Sequence, residues 1–112
     1  MKNTFGQTLK LLRRSQSVSQ RELAEKSGID FTYISKIEND RLPPPSAETI
    51  LRISEVLKVP SEVLLSQSGK VTDEIKTAVS NPEALKFLNE VIEMQLTNDE
   101  WKLLSAELKK LR

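Results

Sequence analysis

The side chains that could do chemistry are few, and their types exclude most of it. There is no Cys and no His anywhere in the 112 residues. That removes the thiolate nucleophile, the imidazole base, disulfides and nearly all transition-metal sites together. Ser and Lys are present, so composition leaves a Ser/Lys dyad open, but no glycine-rich phosphate loop or nucleophile elbow exists to position one. Asp30, Glu38 and Asp40 lie close together in sequence. Their helical positions and neighbours explain them as caps and pairing groups. No catalytic residue, cofactor or metal ligand is expected. What remains is a binding face: Thr32 and Lys36, four residues apart and so on one side of a helix, inside the stretch Ser19–Asp40.

That stretch, SQRELAEKSGIDFTYISKIEND, reads as helix, tight turn, helix. Ser19 stands at an N-cap position and Glu22 follows three residues later, so hydroxyl and carboxylate can each satisfy an orphan N–H. The first helix should run from about Gln20 to Lys26. Gly28 supplies the turn at positive φ, Ile29 fills the corner, and Asp30 or Phe31 opens a second helix with Ile34 and Ile37 on its buried side. Two helices this short need flanking helices to bury them. Phe5, Leu9 and Leu12 recur at helical spacing from Phe5 to about Arg14, with Lys10, Arg13 and Arg14 on other faces. Cations at that end suit the helix dipole. Arg41-Leu42-Pro43-Pro44-Pro45 must be an extended, stiff surface loop, because proline removes N–H donors and fixes φ. Ser46 then caps a helix from Ala47 to about Leu57, with Ile50, Ile53 and Leu57 inward. A short one follows, Glu62 to Leu65, with Val63 and Leu64 inward. Five helices can share one small core.

The small, polar segment 66–70 marks a boundary between a domain at 1–68 and a C-terminal region at 69–112. Thr72 caps a helix from Asp73 to about Val79, and Asn81-Pro82 launches one from Glu83 to Met94. Thr97 with Glu100 forms a capping box for a last helix reaching Leu111. Leu85, Leu88 and Ile92 make one stripe; Trp101, Leu104, Leu108 and Leu111 make another. Three such helices are too few for a secure core alone, so they pack on the first domain, on a second copy, or on both. Net charge is only +1, but residues 1–41 hold eight Lys/Arg against five Asp/Glu, so the basic end is the N-terminal end. The N-terminus never gathers the apolar run of a signal peptide or membrane span, which makes a soluble, cytoplasmic protein the default. No segment reads as a strand, so the fold class is all-α.

Residues 5–65 resemble the helix-turn-helix domain of the Cro/CI (XRE-type) repressors. The resemblance rests on Leu9 and Leu12, the run from Ser19 to Ala24, Gly28, Tyr33-Ile34-Ser35, Ile37-Glu38-Asn39, and Pro45-Ser46 before a Leu/Ile-rich helix. It implies a five-helix, lambda-repressor-like domain that binds inverted-repeat operator DNA as a homodimer, with the helix at 30–38 in the major groove. The base-reading positions then fall on Phe31, Thr32 and Lys36. Gln20, Tyr33, Ser35, Asn39 and Arg41 fall where relatives touch the DNA backbone. Phe31 departs from the polar residues often found there; it either touches a thymine methyl or packs locally. Tyr33 and Arg41 have their own bland readings, as packing and as a solvated charge.

The resemblance also implies that Glu38 pairs with Arg13, which makes both structural and leaves Arg14 or Lys10 as phosphate candidates. For the C-terminal region it leaves two readings. One is dimerisation through Trp101, Leu104, Leu108 and Leu111. In the other, the region docks a regulatory protein. The proline-rich loop and the NPEAL and LTNDEW stretches look similar to regulators controlled by ImmA/IrrE-type metallopeptidases, and an antitoxin binding a toxin is the alternative.

Overall fold

The computed structural model describes residues 3–112, and every regular element among them is α-helical. Met1 and Lys2, the start of the expected first domain, lie outside the described residues. The chain divides into two compact units, the first ending at Thr72 and the second spanning Asp73–Arg112.

The first unit holds α1 (Phe5–Ser15), α2 (Gln20–Ser27), α3 (Phe31–Glu38), α4 (Ala47–Leu57) and α5 (Ser61–Ser68). Each of the five supplies at least one side chain to a common core: Leu9, Leu23, Ile34 and Ile37, Ile50 with Ile53 and Leu57, and Leu64 are all essentially solvent-free. Caps fix where the helices begin. Thr4 and Gln7 form a reciprocal capping box on α1, and Ser46 accepts from the Thr49 N–H at the start of α4. Helix α5 continues past the expected Leu65 to Ser68 and closes on Gly69 at φ 70. Its serines do not break it because Ser66 and Ser68 donate their hydroxyls back to the carbonyls of Val63 and Leu65. Val63, expected to face inward, is 39% exposed; Leu64 takes the buried position and Leu65 packs beside the core.

The second unit holds α6 (Asp73–Ala78), α7 (Pro82–Met94) and α8 (Asn98–Lys110). Asn81 caps α7 with proline at the first turn, and Thr97 and Glu100 complete the capping box of α8. The stripe expected on α7 is displaced. Leu85 and Ile92 are exposed, and the inward line runs through Ala84, Leu88 and Val91, of which Val91 alone is buried. The apolar residues of this helix form one broad face, with Leu85 and Ile92 at one edge, Phe87 and Met94 at the other and Ala84, Leu88 and Val91 between them, so the expected stripe followed an edge of that face rather than its midline. No helix among the described residues is long and apolar enough to cross a membrane.

At the start of α1, Gly6 is buried against the end of α3. A Cβ there would collide with the Ile37 carbonyl oxygen and stand 2.9 Å from that of Glu38. Alanine is the better helix former by about 1 kcal/mol, but overpacking against backbone costs about 1–3 kcal/mol because those atoms cannot rotate away. Gly6→Ala is therefore expected to lower the urea unfolding midpoint; a midpoint that stays or rises would show that α1 and α3 separate without cost.

Candidate nucleic-acid interface

The face that could meet a ligand is built by the turn between α2 and α3. Ser19 accepts from the Glu22 N–H at 3.0 Å and starts α2. The expected return bond from Glu22 does not form. Its carboxylate instead takes the ammonium of Lys26 at 2.8 Å, one helical turn away, and this hydrogen bond holds the Glu22 carboxyl below its ordinary range. Gly28 closes α2 at φ 73, a left-handed conformation that glycine adopts without strain, and donates to the Ala24 carbonyl. Ile29 is buried in the corner. Asp30 caps α3, its carboxylate accepting from the N–H groups of Thr32 at 2.8 Å and Tyr33 at 3.3 Å.

With Ile34, Ile37 and Glu38 turned inward, the helical period leaves Thr32, Ser35, Lys36 and Asn39 along the opposite side of α3, and Phe31, seven residues before Glu38, is exposed as the first residue of the helix. Phe31, Thr32 and Lys36 are exposed there, Asn39 and Arg41 are exposed at the C-terminal end, and Ser35 is half-buried. Tyr33 is half-buried and packs against the core. Trp101, Leu108 and Leu111 are exposed in the second unit, where Leu104 is partly covered.

Behind this face lies a buried clamp. Arg13 donates Nε to Glu38 Oε2 at 2.7 Å and Nη2 to Oε1 at 2.8 Å, a two-pronged contact, while Nη1 donates to the Val18 carbonyl at 2.9 Å. Gln20 donates its amide to the same Oε1 at 3.0 Å. Gln20 is thus tied to the scaffold through this amide. The paired side chains are only 9% and 1% exposed. The hydrogen bond to Glu38 raises the pKa of Arg13 against the opposing effect of burial.

Charge on the outer surface is distributed differently. Arg14, Arg21, Lys36 and Arg41 are exposed and make no ion pair among the described residues. Arg21 was not singled out by the sequence. Its guanidinium lies over the Phe31 ring, 5.3 Å from the centroid, a contact across a turn that no periodicity reports. No group of His, Cys, Asp or Glu among the described residues is arranged to hold a metal ion.

The helix-turn-helix family model matches residues 9–64, half of the chain. An uncharacterised HTH-type transcriptional regulator of Bacillus subtilis, RghRB, is 43% identical over 67 residues, which cover 60% of this chain and 48% of that protein. The chain thus spans about half the length of that relative. The HTH-type transcriptional repressor RghR of Bacillus subtilis is 29% identical over 110 residues, 93% of this chain and 82% of its own. Among solved structures, SinR, a master regulator for biofilm formation, in complex with DNA superposes with a TM-score of 0.53 at 37% identity, covering 55% of this chain and 98% of that one. A SinR/SinI protein complex gives 0.55 at 25% identity and covers 97% of this chain and 100% of that one.

The clamp makes a sharp energetic statement. Glu38→Ala strands a buried guanidinium and is expected to cost about 3–5 kcal/mol in denaturant unfolding. Replacing both partners by apolar residues, Arg13→Met with Glu38→Leu, should lose less than half of the sum of the two single losses. Additive losses would mean that the two groups do not act as a pair.

Proposed function

The chain belongs to the helix-turn-helix family, and we propose that it is a cytoplasmic transcriptional repressor, without catalytic activity, that binds an inverted-repeat operator as a homodimer. The observation that carries the reading is the likeness to DNA-bound SinR, which takes in 98% of that chain at 37% identity. The physical fit supports it. An α-helix matches the width of the major groove, and α3 offers a face of one aromatic, one hydroxyl and one ammonium backed by a rigid core. Lys36 donates to guanine acceptors, and Thr32 meets a thymine methyl or a phosphate. Tyr33, Ser35, Asn39 and Arg41 line the phosphate margins, and Gln20 fixes the angle from which α2 approaches the backbone. Two copies would space their α3 helices by one DNA turn, about 34 Å, so the operator is an inverted repeat.

The second unit suits an assembly role. Its apolar side chains Trp101, Leu108 and Leu111 are exposed, and with the partly covered Leu104 on the same side of α8 they form a surface for a second copy. The likeness of nearly the whole chain to a chain of a SinR/SinI protein complex favours a second reading, in which this unit takes a regulatory protein partner. A chain cut after Thr72 is expected to be monomeric in sedimentation and to bind operator more weakly. A truncated chain that remains dimeric would move dimerisation into the first unit.

Lys36→Ala is expected to lose about 1–3 kcal/mol of binding to a selected operator and to blur one base position. Affinity of the unaltered protein should fall steeply with salt, because phosphate neutralisation releases counterions. An unchanged sequence preference in the variant would remove Lys36 from the reading set.

A further inference from the structure

Arg21 is the second residue of α2 and Phe31 the first of α3, so their contact joins the two helices at the end of α3 that would enter the groove. The other basic side chains nearby are spoken for in different ways. Arg13 is buried on Glu38 and Lys26 pairs with Glu22. Arg21 has neither kind of partner among the described residues; its guanidinium lies instead over the face of an aromatic ring that is itself 40% exposed. A ring face attracts a guanidinium without consuming any of its N–H donors. The long side chain is thereby held in place while its hydrogen-bonding edge stays free.

Resting on the DNA-binding reading above, we propose that Arg21 and Phe31 form one composite reading element: Phe31 is the platform, and Arg21, carried over from α2, donates to the O6 and N7 acceptors of a guanine in each half-site. The guanidinium fork matches those two acceptors, and arginine to guanine is the commonest specific contact in the major groove. A phosphate would also accept from Arg21. A phosphate contact needs only a flexible cation, however, whereas the ring brings this one to the face that carries Thr32 and Lys36. The aromatic at position 31 then has a role that is neither local packing nor methyl contact alone: it sets where the cation of the neighbouring helix stands.

The test is selection of bound duplexes from a randomised pool by the full chain and by Arg21→Ala, Arg21→Lys and Phe31→Leu. Both residues are exposed, so thermal melting of the variants should match the parent. The parent is expected to select one guanine per half-site whose preference falls by about 10-fold or more in both Arg21 variants. Phe31→Leu should weaken preference at that same position. Three outcomes would overturn the proposal. Arg21→Ala could weaken all sequences equally and flatten the salt dependence, which is the signature of a phosphate contact. Phe31→Leu could leave the guanine preference intact, which would dismiss the ring as a platform. A parent chain that selects no sequence at all would sink the operator reading and this one with it, whereas the first two outcomes leave the operator reading standing.

Discussion

One buried carboxylate holds together the part of the molecule that presents α3. Glu38 accepts from Arg13 twice and from Gln20 once, and Arg13 passes on to the Val18 carbonyl. Four segments therefore meet at one point: α1, the loop after it, the first turn of α2 and the last turn of α3. A charge buried this deeply is costly unless every partner is in place, so the arrangement penalises any rearrangement of those helices. Because Glu38 and Ile37 are pinned inward, the helical period turns Thr32 and Lys36 outward, while Phe31 stands exposed at the first position of α3. The raised pKa of Arg13 also fixes the sign of any pH effect from that side. A cation whose folded pKa is raised contributes fully at lower pH and loses its contribution only as pH climbs through a range already above that of ordinary lysines. The arginine half of the clamp is therefore constant through acid and neutral conditions.

The two units differ in how they are stabilised. The first buries side chains from all five helices and locks α1 on α3 through Gly6 and the Thr4 bond to Asp40 at 2.9 Å. The second relies on caps, with Val91 its one buried residue, and leaves Phe87, Ile92, Met94, Trp101 and Leu103 exposed. A region of this size with so little core needs external cover. That contrast underlies the proposal of a rigid reading head and an assembling tail.

Much of the fold was legible because local rules coincide with packing. Ser46 and the stripe Ile50, Ile53, Leu57 delimit α4 at Ala47–Leu57, and Gly28 closes α2 in the left-handed conformation as its type requires. Legibility failed where several local rules compete. Glu22 could return to its cap or pair with Lys26, and the ion pair won. Serines after Leu65 resemble a linker, yet they extend α5 by bonding backward to its carbonyls. On α7, the breadth of the single apolar face hid its midline through Val91. The surface opposite Ile34 and Ile37 followed from periodicity, but the link between Arg21 and Phe31 did not. Nine residues, the turn among them, separate the two, and only the angle between α2 and α3 brings them together.

On the proposed function, α3, oriented by the Glu38 clamp, is the surface that meets DNA. The most direct measurement is a backbone amide chemical-shift titration of the full chain with a selected inverted-repeat duplex. The largest changes are expected at Arg21, Phe31, Thr32 and Lys36, with the core amides of Leu9 and Ile53 little moved. Changes confined to residues 73–112, with α3 undisturbed, would contradict it.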